Sequence, residues 1–103
     1  MSIPSDFAAF SASLAADMPD ELWPEALKAL WYDGKGDWNG AHNIAQDIPT
    51  VMGSWIHAYL HRKEGDKWNA GYWYGRANRE FPSVGLEMEF KELVSAVIRS
   101  CTF

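Results

Sequence analysis

Two Gly-Asp steps, Gly36-Asp37 and Gly65-Asp66, divide the middle of the chain at an interval of 29 residues. Glycine suits the left-handed residue that stops a helix, and aspartate caps the helix that follows, so each step joins an arriving helix to a departing one. The same shift carries Ala29 onto Ala58 and Ala41 onto Ala70. Small residues there let antiparallel helices approach closely. The stretch 20–82 is therefore predicted to form two related helical hairpins.

Helix signals extend to both sides of this repeat, and no segment reads convincingly as a strand. Ser5 and Asp6 can cap a first helix through about Asp17, with Phe7, Phe10 and Leu14 on one face. Pro24 suits the first turn of a second helix that Gly34 and Gly36 end. Asp37 caps a third through about Asp47, Thr50 a fourth from Val51 to about Glu64, and Asp66 a fifth to about Arg79. A last helix spans about Leu86 to Ser100, its Phe90, Leu93, Val94, Val97 and Ile98 forming one apolar stripe. The expected fold is all-α, an antiparallel bundle of about six helices in one domain, residues 1–103, with the first and last helices capping the two hairpins.

The second hairpin resembles a tetratricopeptide repeat, a helix-turn-helix unit of about 34 residues. Ala58, Gly65-Asp66, Ala70, Tyr74, Ala77 and Pro82 stand at the spacing of that pattern. The first hairpin, with Ala29, Tyr32, Gly36-Asp37 and Ala41, is a more degenerate copy. The resemblance implies a concave face lined by first-helix residues, here Trp55, Tyr59 and Arg62. The stretch HNIAQ…WIHAYLHR.EGD..NA.YWY.RA is also similar to the core pattern of a small bacterial protein family, a likeness that implies no particular activity.

Net charge and cysteine usage narrow the partners. At −5 the chain lacks the clustered cations that general affinity for nucleic acid requires. Residues 1–50 hold eight acids and two bases, whereas 51–82 hold three acids and five bases. Cys101 is the only cysteine, so no disulfide framework or multi-cysteine zinc site can form. The uncharged run from Phe7 to Ala16 is too short to span a bilayer, and no cation precedes it as in a secretory leader. A soluble, cytoplasmic protein without a membrane partner is expected. Aromatic surface at the ends of so short a helical stack makes a homodimer possible.

The chemistry concentrates in GSWIHAYLHRKEGDKWNAGYWYGRA, residues 53–77. His57 and His61, at i and i+4, have the spacing two imidazoles need to share a metal ion. The zinc-protease helix carries Glu after its first His, but here that residue is Ala58, so the hydrolase base is missing. Further ligands would have to come from His42, Asp47 or Glu64, and the pair alone commits the chain to no metal or cofactor. The histidines can equally be core groups satisfied by Tyr, Asn or carboxylate partners. A third reading is a polar pocket in which His42, His57 and His61 meet Arg76 or Arg62, Asp47, and Tyr72 or Tyr74. No Ser or Cys nucleophile stands in a recognisable setting, and no glycine-rich phosphate loop is present. The expected role is a non-catalytic binding module for a peptide, protein or small anionic ligand, with a groove of Trp55, Tyr59, Arg62 and Lys63 for an acidic or C-terminal peptide. The alternative is a His-lined metal or acid-base site with hydrolase-like activity.

Overall fold

The computed structural model describes residues 3–101. Among these the secondary structure is helical throughout: α1 (Phe7–Ser13), α2 (Glu25–Gly34), α3 (Trp38–Ala45), α4 (Val51–Lys63), α5 (Lys67–Arg76) and α6 (Leu86–Ser100). The chain is an all-α bundle. No helix among the described residues is long and apolar enough to cross a membrane.

Both Gly-Asp steps have the same geometry. Gly36 and Gly65 take positive φ, 84° and 91°. The following amide reaches back over the stop, Asp37 N–H to the Tyr32 carbonyl and Asp66 N–H to the His61 carbonyl, each at 2.9 Å. These bonds satisfy carbonyls that a helix end leaves orphaned. Asp37 then accepts from the Gly40 amide at 2.9 Å and Asp66 from the Asn69 amide at 3.2 Å. Ala29, Ala41, Ala58 and Ala70 have no exposed surface. Accordingly α2 packs chiefly on α3 and α4 on α5.

Two helix ends fall short of the sequence expectation, each for a visible reason. α1 stops at Ser13 rather than near Asp17, where the chain tightens into i to i+3 bonds and side chains from α2 and just beyond it take up carbonyls. Trp31 Nε1 donates to the Ser13 carbonyl, and Lys35 Nζ donates to those of Leu14 and Ala16. α5 stops at Arg76 rather than near Arg79 because Asn78 enters the left-handed region at φ 58° and Arg79 N–H bonds the Tyr74 carbonyl. Asparagine tolerates that conformation better than most residues.

The capping helix α6 crosses α2 and α4 and supports α1. Its apolar stripe supplies Leu93, Val94, Val97 and Ile98 to the core. One acid interrupts that stripe: Glu89, 1% exposed. Its carboxylate accepts from Trp55 Nε1 at 3.1 Å, Tyr74 Oη at 2.6 Å and Arg62 Nη1 at 2.7 Å. Burying a carboxylate costs several kcal/mol unless such donors surround it, so the network ties α6 to both helices of the second hairpin.

Candidate functional site

A tight turn brings α3 beside α4. Thr50 caps α4 by accepting from the Gly53 amide at 3.2 Å. A Cβ on Gly53 would lie 2.2 Å from the Ile48 carbonyl oxygen, so only glycine lets the connection fold back this closely. The result sets His42 of α3 opposite His57 and His61 of α4.

The three imidazoles form one cluster. His42 Nε2 and His57 Nε2 are 2.9 Å apart. His57 and His61 stack at 4.8 Å between ring centroids, and His42 meets both edge-on at 4.6 and 5.2 Å. One ring nitrogen from each residue lies within 4.8 Å of the other two. His61 Nδ1 bonds the Glu64 carboxylate at 2.7 Å, which fixes the ring and leaves Nε2 as its free nitrogen. Two tryptophans wall the cluster. Trp38 stacks on His42 at 4.9 Å and donates Nε1 to the Leu60 carbonyl, while Trp73 stacks on His57 at 4.1 Å.

These surroundings disfavour the imidazolium forms of His42 and His57. Burial first, then repulsion from His42 and His61, holds His57 down to about 4. Burial and His61 lower His42 as well, with Glu64 acting weakly against them. A nitrogen pair 2.9 Å apart requires one N–H and one lone pair, which two neutral rings provide. Neutral rings are also the form that binds metal.

The donor set fits a transition metal. With metal–nitrogen bonds of about 2.0–2.1 Å, neighbouring ligand nitrogens stand about 2.9–3.4 Å apart in octahedral or tetrahedral geometry. The His42–His57 pair already has that separation, and a His61 ring nitrogen lies within 4.8 Å of both. The bond to Glu64 is the usual outer-sphere support for a ligating histidine. Asp66, also within 4.8 Å of His61 and Glu64, is occupied as the N-cap of α5.

Other candidate residues lie elsewhere. Trp55 and Tyr59 are 6% and 3% exposed, so the expected open groove is filled by its own wall. Trp55 turns inward to Glu89 and is covered by Arg79, whose guanidinium sits 3.5 Å from the ring centroid. Arg62 is held by Glu89 and the Val84 carbonyl, and Lys63 by the buried Asp33 carboxylate at 2.9 Å. Arg76 bonds Tyr72 Oη at 3.3 Å on the exposed side of α5 and covers Trp73 at 5.4 Å. One ring therefore separates Arg76 and Tyr72 from the imidazoles. Asp47 is exposed and is not part of the histidine cluster among the described residues. A concavity of about 1080 Å³ is lined by residues including Phe7, Tyr59, Met88 and Phe90, not by the histidines.

Sequence reasoning passed over Trp38, Trp73 as a wall of this cluster, and Glu89. Glu89 had a readable signal: it falls in phase with Leu86, Leu93 and Val97 on the apolar stripe of α6. Compared with known protein families, curated proteins and solved structures, the chain matches none.

Proposed function

We propose that the protein binds one late first-row transition-metal dication, Zn²⁺, Cu²⁺ or Ni²⁺, through His42, His57 and His61. The observation that carries this reading is the convergence of three ring nitrogens within 4.8 Å, drawn from two helices. Imidazole donors without thiolate suit these ions, and hard carboxylate-seeking ions such as Mg²⁺ and Ca²⁺ are disfavoured. The two hairpins, read as degenerate tetratricopeptide-like units, are the scaffold that opposes the ligands. Their matched glycine stops and aspartate caps support that likeness.

The role is binding rather than hydrolysis. Glu64, the carboxylate nearest the cluster, serves to orient His61 through one of its oxygens. The concavities beside Tyr59 and Phe90 and beside Trp55 and Arg79 are lined by side chains other than the three histidines.

Calorimetric titration of untagged, chelator-stripped protein with Zn²⁺ and Cu²⁺ tests the reading. One site per chain is expected, with Cu²⁺ the tighter ion and its binding quenching the fluorescence of the adjacent Trp38 and Trp73. His57→Gln should abolish it. Absence of binding heat and of any melting shift with either metal removes the proposal.

A further inference from the structure

The charges and exposed apolar groups at the two ends of the helical stack are complementary. At one end, α5 packs chiefly on α4 and turns its other side outward. That side exposes Lys67, Trp68, Gly71, Tyr72, Gly75 and Arg76 as one stripe at helical spacing. Trp68 is 82% exposed and Tyr72 50%, and a Cβ on Gly71 or Gly75 would meet nothing. From Lys67 to Arg79 there are three cations and no acid.

At the other end lies the connection between α1 and α2. Lys35 holds its Leu14 and Ala16 carbonyls against the C-terminus of α2, and Trp23, stacked with Phe10, anchors it near the N-terminus. Between these anchors Asp17, Met18, Glu21 and Leu22 are exposed, Met18 at 67% and Leu22 at 69%. Residues 1–27 contain five acids and no Lys, Arg or His, and the first cation, Lys28, pairs with Glu25 at 3.6 Å.

We propose that copies of this chain associate head to tail, the outward face of α5 in one copy seating the acidic 17–25 segment of the next. Met18 and Leu22 meet Trp68 and Tyr72, while Asp17 and Glu21 meet Lys67 and Arg76. Exposed aromatic and Met side chains are the ones enriched at interfaces, and charge complementarity fixes which faces meet. A symmetric contact of α5 on α5 would oppose cation to cation, and one between two acidic segments would oppose acid to acid. The contact is therefore heterologous, extending the stack as a further hairpin would.

Sedimentation velocity tests the geometry with paired charge reversals at exposed positions, Lys67→Glu with Arg76→Glu, and Asp17→Lys with Glu21→Lys. The wild-type mass should rise above 11.6 kDa with concentration and fall back as salt is added. Each double variant alone should stay monomeric with unchanged helical circular dichroism, and an equimolar mixture should reassemble, because every reversed face then meets its complement. In wild-type protein of mixed isotope label, zero-length carbodiimide cross-links should join Lys67 of one copy to Asp17 or Glu21 of another. A wild type that remains monomeric to millimolar concentration overturns the proposal. So does a reversal that leaves assembly intact, a mixture that does not reassemble, or an α5 face that takes an acidic peptide without self-association.

Discussion

The position of His57 makes metal-free protein sensitive to mild acid in a calculable way. The residue is 7% exposed, its ring between His42 on α3 and Trp73 on α5. The folded state holds its pKa at about 4, against 6.5 for the ordinary side chain. Between those values the unfolded chain binds a proton that the folded chain refuses, so stability is full above pH 6.5 and declines as the pH falls toward 4. Linkage gives a loss of about 2 kcal/mol at pH 5 and about 3 kcal/mol at pH 4 from this one ring. His42, also lowered, adds in the same direction, and carboxylates that titrate below pH 5 add a background. His57→Gln isolates the contribution, since the amide keeps a polar group opposite His42 and has no proton to gain. Urea unfolding followed by circular dichroism, with chelator present, should show wild type losing about 2 kcal/mol more than the variant between pH 7.5 and 5. Equal losses in the two proteins would mean that His57 titrates normally, and the neutral His42–His57 pair would have to be abandoned.

Other substitutions report on separate parts of the molecule. Glu64→Gln removes the carboxylate that orients His61 and should weaken Zn²⁺ binding about 10–100-fold by calorimetry, with little change in the urea midpoint of metal-free protein. Glu89→Leu strands Arg62, Tyr74 and Trp55 donors in the interior and should cost about 3–5 kcal/mol in urea unfolding, whereas Glu89→Gln, which keeps an acceptor, should cost less. Gly53→Ala drives a methyl group against the Ile48 carbonyl and should destabilise by about 1–3 kcal/mol. Unchanged unfolding of Gly53→Ala would show that the turn between α3 and α4 is looser than the geometry described above.

Much of the scaffold was legible because it depends on local chemistry. Gly36, Gly65, Asp37, Thr50 and Asp66 act on the residues next to them, and the structure uses each as its residue type suggests. The ends of α1 and α5 were misjudged because what stops them is distant or disfavoured by type: Lys35 reaching back 19 and 21 residues, and a non-glycine residue at positive φ. Trp55 and Tyr59 expose the limit of reasoning by repeat position. A concave face stays open only if no later helix fills it, and here α6 brings Glu89 and Phe90 onto it. The triad of His42, His57 and His61 was legible only as one of several readings, because the distance from α3 to α4 is set by the Ile48–Gly53 contact and not by spacing along either helix.

That contact also separates two ways of holding a metal. A pair at i and i+4 on α4 can bind an ion wherever that helix forms, so a complex through His57 and His61 alone stabilises the helix and little else. Adding His42 makes the ion a bridge between the first hairpin and the second, and such a site exists only when α3 and α4 are packed. Stabilisation by mass action then applies to the whole fold, about 2.7 kcal/mol at a free metal concentration 100 times Kd. His42→Gln should leave weak binding by the α4 pair but abolish most of the Zn²⁺-induced rise in Tm seen in wild type, when both are measured at the same free metal. An equal rise in wild type and His42→Gln would show that α3 contributes no ligand, and would reduce the cluster to a two-histidine site on one helix.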